Sequence, residues 1–205
     1  MTEPRAVAEA LQEVVPGVWR WWVSDERIGG HEADAHAVSA NGGVVLVDPL
    51  PLAADALTSL GRVDAICLTA QCHQRSSWRY RRRFGAPVHA PEGTRPMEEE
   101  PDERYREGDL LPGDLRAIRT PGPEEIHFAF LLEREPRVLF CPDLLTNYGD
   151  EGLEYVPLEY HDEPEETRRT VERLLDLDFA ILCLSHGTPI TEDPHRSIRT
   201  LLARS

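Results

Sequence analysis

Four apolar runs in this chain end abruptly in polar residues: "VVLVDP" at 44–49, "AICLTAQCHQR" at 65–75, "VLFCPDLL" at 138–145 and "ILCLSHG" at 181–187. Each is short and bounded by turn or polar residues, the pattern of a strand buried on both faces rather than of a helix. The second run turns polar with a cysteine beside a histidine, so it reads as a buried strand that delivers its C-terminal end to a site. Buried strands of this kind need helices to cover them, which narrows the chain to an α/β architecture.

The stretches between these runs fit that architecture. "HAVSANGGVVLVDP" reads as a hairpin turning at Asn41–Gly42, the strongest short turn signal. "VVPGVWRWWV" reads as an aromatic strand broken at Pro16–Gly17, with residues 5–13 as a short helix before it. Helices are expected at "LAADALTSLG", ended by Gly61, and at "SSWRYRRRFG", stopped by Gly85. "APVHA", "LRAIRT", "HFAFLLE" and "RVLFCPD" are β-like. "DEPEETRRTVERLLDLD" is the clearest helix, with Pro164 in its first turn and Val171, Leu174 and Leu175 as its apolar stripe. "DPHRSIRTLLAR" closes the chain as a further helix. The order suggests two related halves, each a sheet with helices on one side, in a single domain over residues 1–205.

Composition removes several function classes. All 22 basic residues are arginine, which excludes Schiff-base chemistry and a P-loop lysine, and the 37 acidic residues give a net charge of −15. A field of that sign repels nucleic acid and anionic membranes, so neither is expected as a partner. No segment reaches the ~20 apolar residues that span a bilayer, and a cytoplasmic location is expected. Cys67, Cys141 and Cys183 lie inside apolar runs and read as core thiols in a reducing compartment. Cys72 lies outside such a run.

Taken in order, "VVLVDP", "LTAQCHQR", "REGDLLPGDLRAIRTPG", "RTPGPEEIHFAFL", "VLFCPDLL" and "CLSHGTPI" resemble the metallo-β-lactamase superfamily over nearly the whole chain. The resemblance implies a four-layer αβ/βα sandwich, two mixed β-sheets flanked by helices, with a metal site at the strand ends between the halves. Members with two metals carry His-x-His-x-Asp-His after the strand ending in Leu-Thr. The matching positions here are Ala70, Cys72, Gln74 and Arg75, and the histidine of the usual Pro-Gly-His turn is Pro123. Asp143 matches the bridging aspartate and His186 the last histidine ligand. A two-metal hydrolase is therefore not expected.

Two arrangements suit what remains. A buried carboxylate without its cation must be protonated, solvated or paired, and the first arrangement pairs Asp143 with the always-charged guanidinium of Arg75. The second is a residual one-metal site of Cys72, Asp143 and His186, with His73 or His127 completing a tetrahedron. On an extended backbone Cys72 and His73 point apart, so only one of the two is expected to face the site. Cys72 as a plain pocket thiol is the blander reading. No Ser nucleophile elbow, CxxC, G-x-G-x-x-G or HExxH occurs.

Functionally, the first expectation is a metallo-β-lactamase-fold protein with a degenerate metal site and no cofactor, non-catalytic or binding a small ligand. The alternative is a hydrolase of thioesters, lactones or related esters using one zinc or iron ion. Arg75 and the first turn of the helix at 76–85 suggest a small anionic ligand. The acidic loop at 97–104 could serve as a docking surface, and the "VWRWW" strand offers a face for a homodimer.

Overall fold

In the computed structural model, residues 3–149 and 152–204 are described. The first half builds a seven-stranded sheet in chain order: β1 (Gln12–Val15), β2 (Val18–Ser24), β3 (Glu32–Ala40), β4 (Gly43–Val47), β5 (Val63–Cys67), β6 (Val88–Pro91) and β7 (Glu103–Tyr105). Strands β1 to β4 pair antiparallel. Strands β4 to β7 run parallel. The change follows from the connections. Asn41 and Gly42 both take positive φ, 42° and 85°, as a tight hairpin turn requires. By contrast β4 reaches β5 through α1 (Ala54–Ser59) and β5 reaches β6 through α2 (Ser77–Phe84), the crossover that parallel pairing demands.

The second half forms a five-stranded sheet. It contains β8 (Leu110–Leu111), β9 (Leu115–Arg119), β10 (Phe128–Leu132) and β11 (Val138–Cys141). A two-stranded ribbon follows, β12 (Leu145–Thr146) and β13 (Glu154–Tyr155), then α3 (Pro164–Arg173), β14 (Ile181–Leu184) and α4 (Pro194–Leu202). The strand order is β14-β11-β10-β9-β8, with β14 parallel to β11.

Side-chain alternation sorts these strands into three cores, and hence four layers. On β4, Val44 and Leu46 pack with Leu57, Trp78 and Tyr80 beneath α1 and α2. Val45 and Val47 point the other way, into the space between the sheets, where they meet Leu115, Phe130 and Phe140. On β14, Ile181 and Cys183 join that middle core, while Leu182 and Leu184 pack with Val171 and Ile198 under α3 and α4. Both sheets are thus buried on both faces, which is why their strands read as unbroken apolar runs. Truncating a fully buried member such as Leu46 or Phe140 to alanine is expected to cost about 2–5 kcal/mol.

One local expectation is corrected. Residues 5–13 are not helical: the segment is extended, bridges Leu52 through Ala8, and enters β1 at Gln12. Its apolar residues serve the edge of the first sheet rather than one helix face. The loop at 97–104 is tied down. Arg81 pairs with Glu99 and Asp102, Arg82 with Glu99, and Arg104 with Glu100. The arginine run of α2 and the acidic run of the loop neutralise each other, and the loop leads into β7.

Candidate metal centre

Each of the four apolar runs ends at one place. Asp48 follows β4, Cys72 and His73 lie in a 3-10 turn, Gln71–Gln74, after β5, Asp143 follows β11, and Ser185 and His186 follow β14. Asp48, Arg75 and Asp143 all have positive φ, 46°, 37° and 43°. Such backbone costs of order 1–3 kcal/mol per residue and persists where the surroundings enforce it. Here the surroundings are the centre itself.

His73 is its hub. Its ring is buried; Nδ1 lies 2.9 Å from Asp48 Oδ2 and Nε2 lies 2.9 Å from Asp143 Oδ2. Asp48 is fixed in turn by the Thr69 backbone N–H at 2.9 Å and by the Thr69 hydroxyl. Burial and the Arg75 charge oppose protonation of His73, but Asp143, Cys72 and Asp48 outweigh them and raise its pKa well above the usual imidazole value. Asp143 is shifted in the opposite direction. Burial favours its neutral form, yet His73 and His186 hold the carboxyl well below the ordinary range.

The second oxygen of Asp143 is held from the other half. Ser185 Oγ donates to Oδ1 at 2.9 Å and accepts the Asp143 N–H, while His186 Nε2 lies 3.0 Å from Oδ1. His186 Nδ1 must carry its hydrogen, because its partner at 2.8 Å is the Glu32 carbonyl, which only accepts. The loop bearing His186 is clamped by Asp34, which accepts the Gly187 N–H at 2.9 Å. Gly187 is required there: φ is 100°, and a Cβ would lie 2.3 Å from the Asn147 carbonyl. Asp34 also holds Arg20 at 2.8 Å. Its burial raises its pKa to about 6 against the pull of Arg20.

Arg75 is placed otherwise than expected. Its Nη1 donates to the main-chain carbonyls of Asp34 at 2.9 Å and Asp48 at 3.3 Å. Asp143 faces the imidazoles of His73 and His186 instead. The expected Arg75–Asp143 pair is thereby overturned, because the tight turn at 71–74 and the positive φ of Arg75 swing the guanidinium back toward the first sheet. The same turn overturns a second expectation. Cys72 and His73 are not on extended backbone, and both face Asp143, with Cys72 Sγ 3.8 Å from Oδ2. The thiol is pushed up to about 11 by burial.

His127 lies behind the centre. It bridges Ala70 across the strand ends. Its Nδ1 donates to the Thr120 carbonyl at 2.8 Å, and Nε2 has no partner among the described residues. Burial lowers its pKa to about 4. His161 binds Thr167 on α3 at 2.7 Å, and His195 binds the Leu177 carbonyl at 2.8 Å, so both serve local structure. Gln74, at the position of the lost aspartate, accepts from Trp78 Nε1 and the Glu98 N–H. Asp48 and Ser185 stand in the quoted motifs, at the ends of apolar runs, but nothing in the motifs gives them a role. Asp34 lies in what reads as a loop, and nothing in its neighbours marks it.

No protein-family model matches the sequence, and no curated protein matches it. Solved structures do. A metallo-β-lactamase family protein from Thermus thermophilus aligns with a TM-score of 0.68 at 23% identity, over 94% of this chain and 80% of that one. A metallo-β-lactamase from Pontibacter korlensis aligns with a TM-score of 0.73 at 15% identity, over 95% and 99%. An archaeal superfamily protein from Sulfolobus tokodaii gives 0.64 at 15%, over 84% and 79%. The chain has the metallo-β-lactamase fold. At these identities the likeness concerns architecture, so the chemistry rests on the residues themselves.

Tested against the metals this fold implies, the residues fit one ion and not two. Cys72 Sγ, His73 Nε2 and an Asp143 oxygen lie within 4.8 Å of one another, the only such group of three among the described residues. The carboxylate of Asp48 on His73 Nδ1 is the outer support that metal-binding imidazoles usually have. For a second ion, Ala70 and Pro123 have no donor, Gln74 is engaged and Arg75 is cationic. The centre meets solvent through Asp143 and His186, whose side chains are 20% and 19% exposed. Two hollows of about 310 and 350 Å³ lie elsewhere, at the end of α2 and between β9 and α3, away from this chemistry.

Proposed function

We propose that this protein is a single-metal hydrolase of the metallo-β-lactamase fold, acting on esters, thioesters or lactones. The observation that carries the reading is the orientation of His73: Asp48 occupies Nδ1, so Nε2 faces Asp143 and the Cys72 thiol. Cys72, His73 and Asp143 would hold the ion. Bound there, a zinc or iron ion supplies Lewis acidity for hydrolysis at neutral pH. The chain's own residues supply the rest. Asp48 fixes the His73 tautomer, Ser185 fixes the Asp143 carboxylate, and Asp34 holds the loop of His186. His186, partly exposed on the far oxygen of Asp143, is placed to hold a proton at Nε2 beside a bound acyl group.

A second reading is favoured by the same two distances. With a carboxylate on each ring nitrogen, a doubly protonated His73 substitutes for the ion, and the fold is then a non-catalytic relative whose former centre is an internal ion cluster. Metal content separates the two. Protein purified without chelator is assayed before and after addition of zinc or iron. About one equivalent, lost in Asp143→Ala and weakened in Cys72→Ser, supports the hydrolase. No bound metal under either condition, together with a strongly destabilised His73→Gln, supports the proton-bridged form.

A further inference from the structure

The wall beside the centre is aromatic and acidic. Tyr148 is 53% exposed, and its hydroxyl donates to the Glu32 carbonyl at 2.7 Å. The same carbonyl accepts from His186 Nδ1. The Tyr148 hydroxyl and His186 Nδ1 therefore meet on one oxygen. Trp22, 41% exposed, lies opposite Asp34 in the β2–β3 ladder, and Glu32 lies two residues further along on the same face. The Trp22 ring already carries the Arg20 guanidinium 4.3 Å from its centroid, so this wall accepts a cation on an aromatic face. Burial, and then the charges of Glu32, Asp34 and Asp143, push the Tyr148 phenol up to about 12.

Counter-charges for an anion are spent elsewhere. The chain has no lysine. Arg20 is committed to Asp34 and Glu32, at 2.8 and 3.6 Å, and Arg75 to two carbonyls. Of the groups behind the expectation of an anionic ligand, the Arg75 guanidinium is turned inward.

We propose that the face beside the centre takes acyl substrates carrying an ammonium group, with the cation resting on the Tyr148 ring near the Glu32 carboxylate, which Arg20 approaches to 3.6 Å. A cation over an aromatic face is stabilised by the ring quadrupole, and a neighbouring carboxylate adds to it. The proposal rests on the reading of the centre as a substrate site, but its test does not depend on turnover. Choline, its uncharged isostere 3,3-dimethylbutan-1-ol, and acetate are titrated calorimetrically into the full-length protein, as purified and after zinc addition. Choline binds at least about fivefold more tightly than the isostere, and acetate most weakly. The preference falls about three- to tenfold in Tyr148→Ala and in Glu32→Gln, and Tyr148→Phe, which keeps the ring, retains most of it. Glu32→Gln leaves the carbonyl that anchors His186 in place, so it separates charge from support. Equal binding of choline and the isostere, stronger binding of acetate, or a preference unmoved by these variants overturns the proposal. Choline binding without hydrolysis of any choline ester would sink the hydrolase reading alone, and hydrolysis of neutral esters without choline preference would sink this one alone.

Discussion

Asp48 holds the Nδ1 edge of His73 at 2.9 Å, and this contact turns the Nε2 edge onto Asp143. The two carboxylates come from different sheets, so one imidazole joins the halves of the sandwich. What the centre does depends on whether a proton or an ion sits beyond that Nε2.

In the proposed one-metal centre, Asp48 would act on the ion through His73 and not as a ligand. Asp48→Asn keeps the shape and removes the charge behind His73, and is expected to weaken zinc binding about 10–100-fold. Competition titration against a chromogenic chelator reads this directly. Equal affinities would show that the His73 tautomer is fixed by something other than Asp48.

Arg75 is expected to act on stability through the main chain. Arg75→Ala removes charged donors from the Asp34 and Asp48 carbonyls, at a cost of about 2–4 kcal/mol. Because Arg75 and Asp143 share no hydrogen bond, a double-mutant cycle of Arg75→Ala with Asp143→Asn should return a coupling below about 1 kcal/mol. Urea unfolding of the four proteins measures it, and a coupling of several kcal/mol would restore the direct pair.

The pH profile has two limbs with different owners. Burial lowers His36 to about 3 and His127 to about 4. Between those values and the unfolded value near 6.5, the unfolded chain binds protons that the folded one refuses, so stability falls as pH drops from about 6.5 toward 4. His127 alone accounts for at most about 3 kcal/mol. On the other side, in the metal-free protein the raised His73 stabilises fully below about 6.5, and that contribution is lost as pH rises toward its folded value. The depressed Asp143 acts only at the acid extreme, stabilising above about 4 and losing that contribution as pH falls further. His127→Gln should make the acid limb shallower, with His36 keeping its share, and leave the alkaline limb of the metal-free protein in place, as read from urea midpoints at pH 4.5, 7 and 9.

The acidic loop divides into structural and solvated charges. Asp102 accepts the Val88 N–H at 2.8 Å besides pairing with Arg81, so Asp102→Ala should cost about 1–2 kcal/mol. Glu99 pairs only with the half-buried Arg81 and the exposed Arg82, and Glu99→Gln should cost under about 1 kcal/mol and become negligible at high salt. Thermal unfolding at low and high ionic strength tests both. A larger loss for Glu99 than for Asp102 would reverse the assignment.

The apolar runs and their turn residues were legible in the sequence because burial on both faces leaves a local mark. Val44 to Val47 and Ile181 to Leu184 are apolar whichever core each side chain enters. The ends of those runs could be placed at one site from their order. The short strands β7 and β8 and the ribbon of β12 and β13 left no such mark, because two or three residues carry no period.

Which side chains meet at the centre was decided by tertiary structure. A 3-10 turn in place of an extended segment rotates His73 by a fraction of a turn, enough to exchange it for Arg75 opposite Asp143. Asp34 and the Glu32 carbonyl reach the loop of His186 from more than 150 positions away in the chain. Hydrophobic patterning is a property of neighbours in sequence and survives small changes of backbone angle. A hydrogen bond across two sheets depends on ångström distances set by the whole packed core.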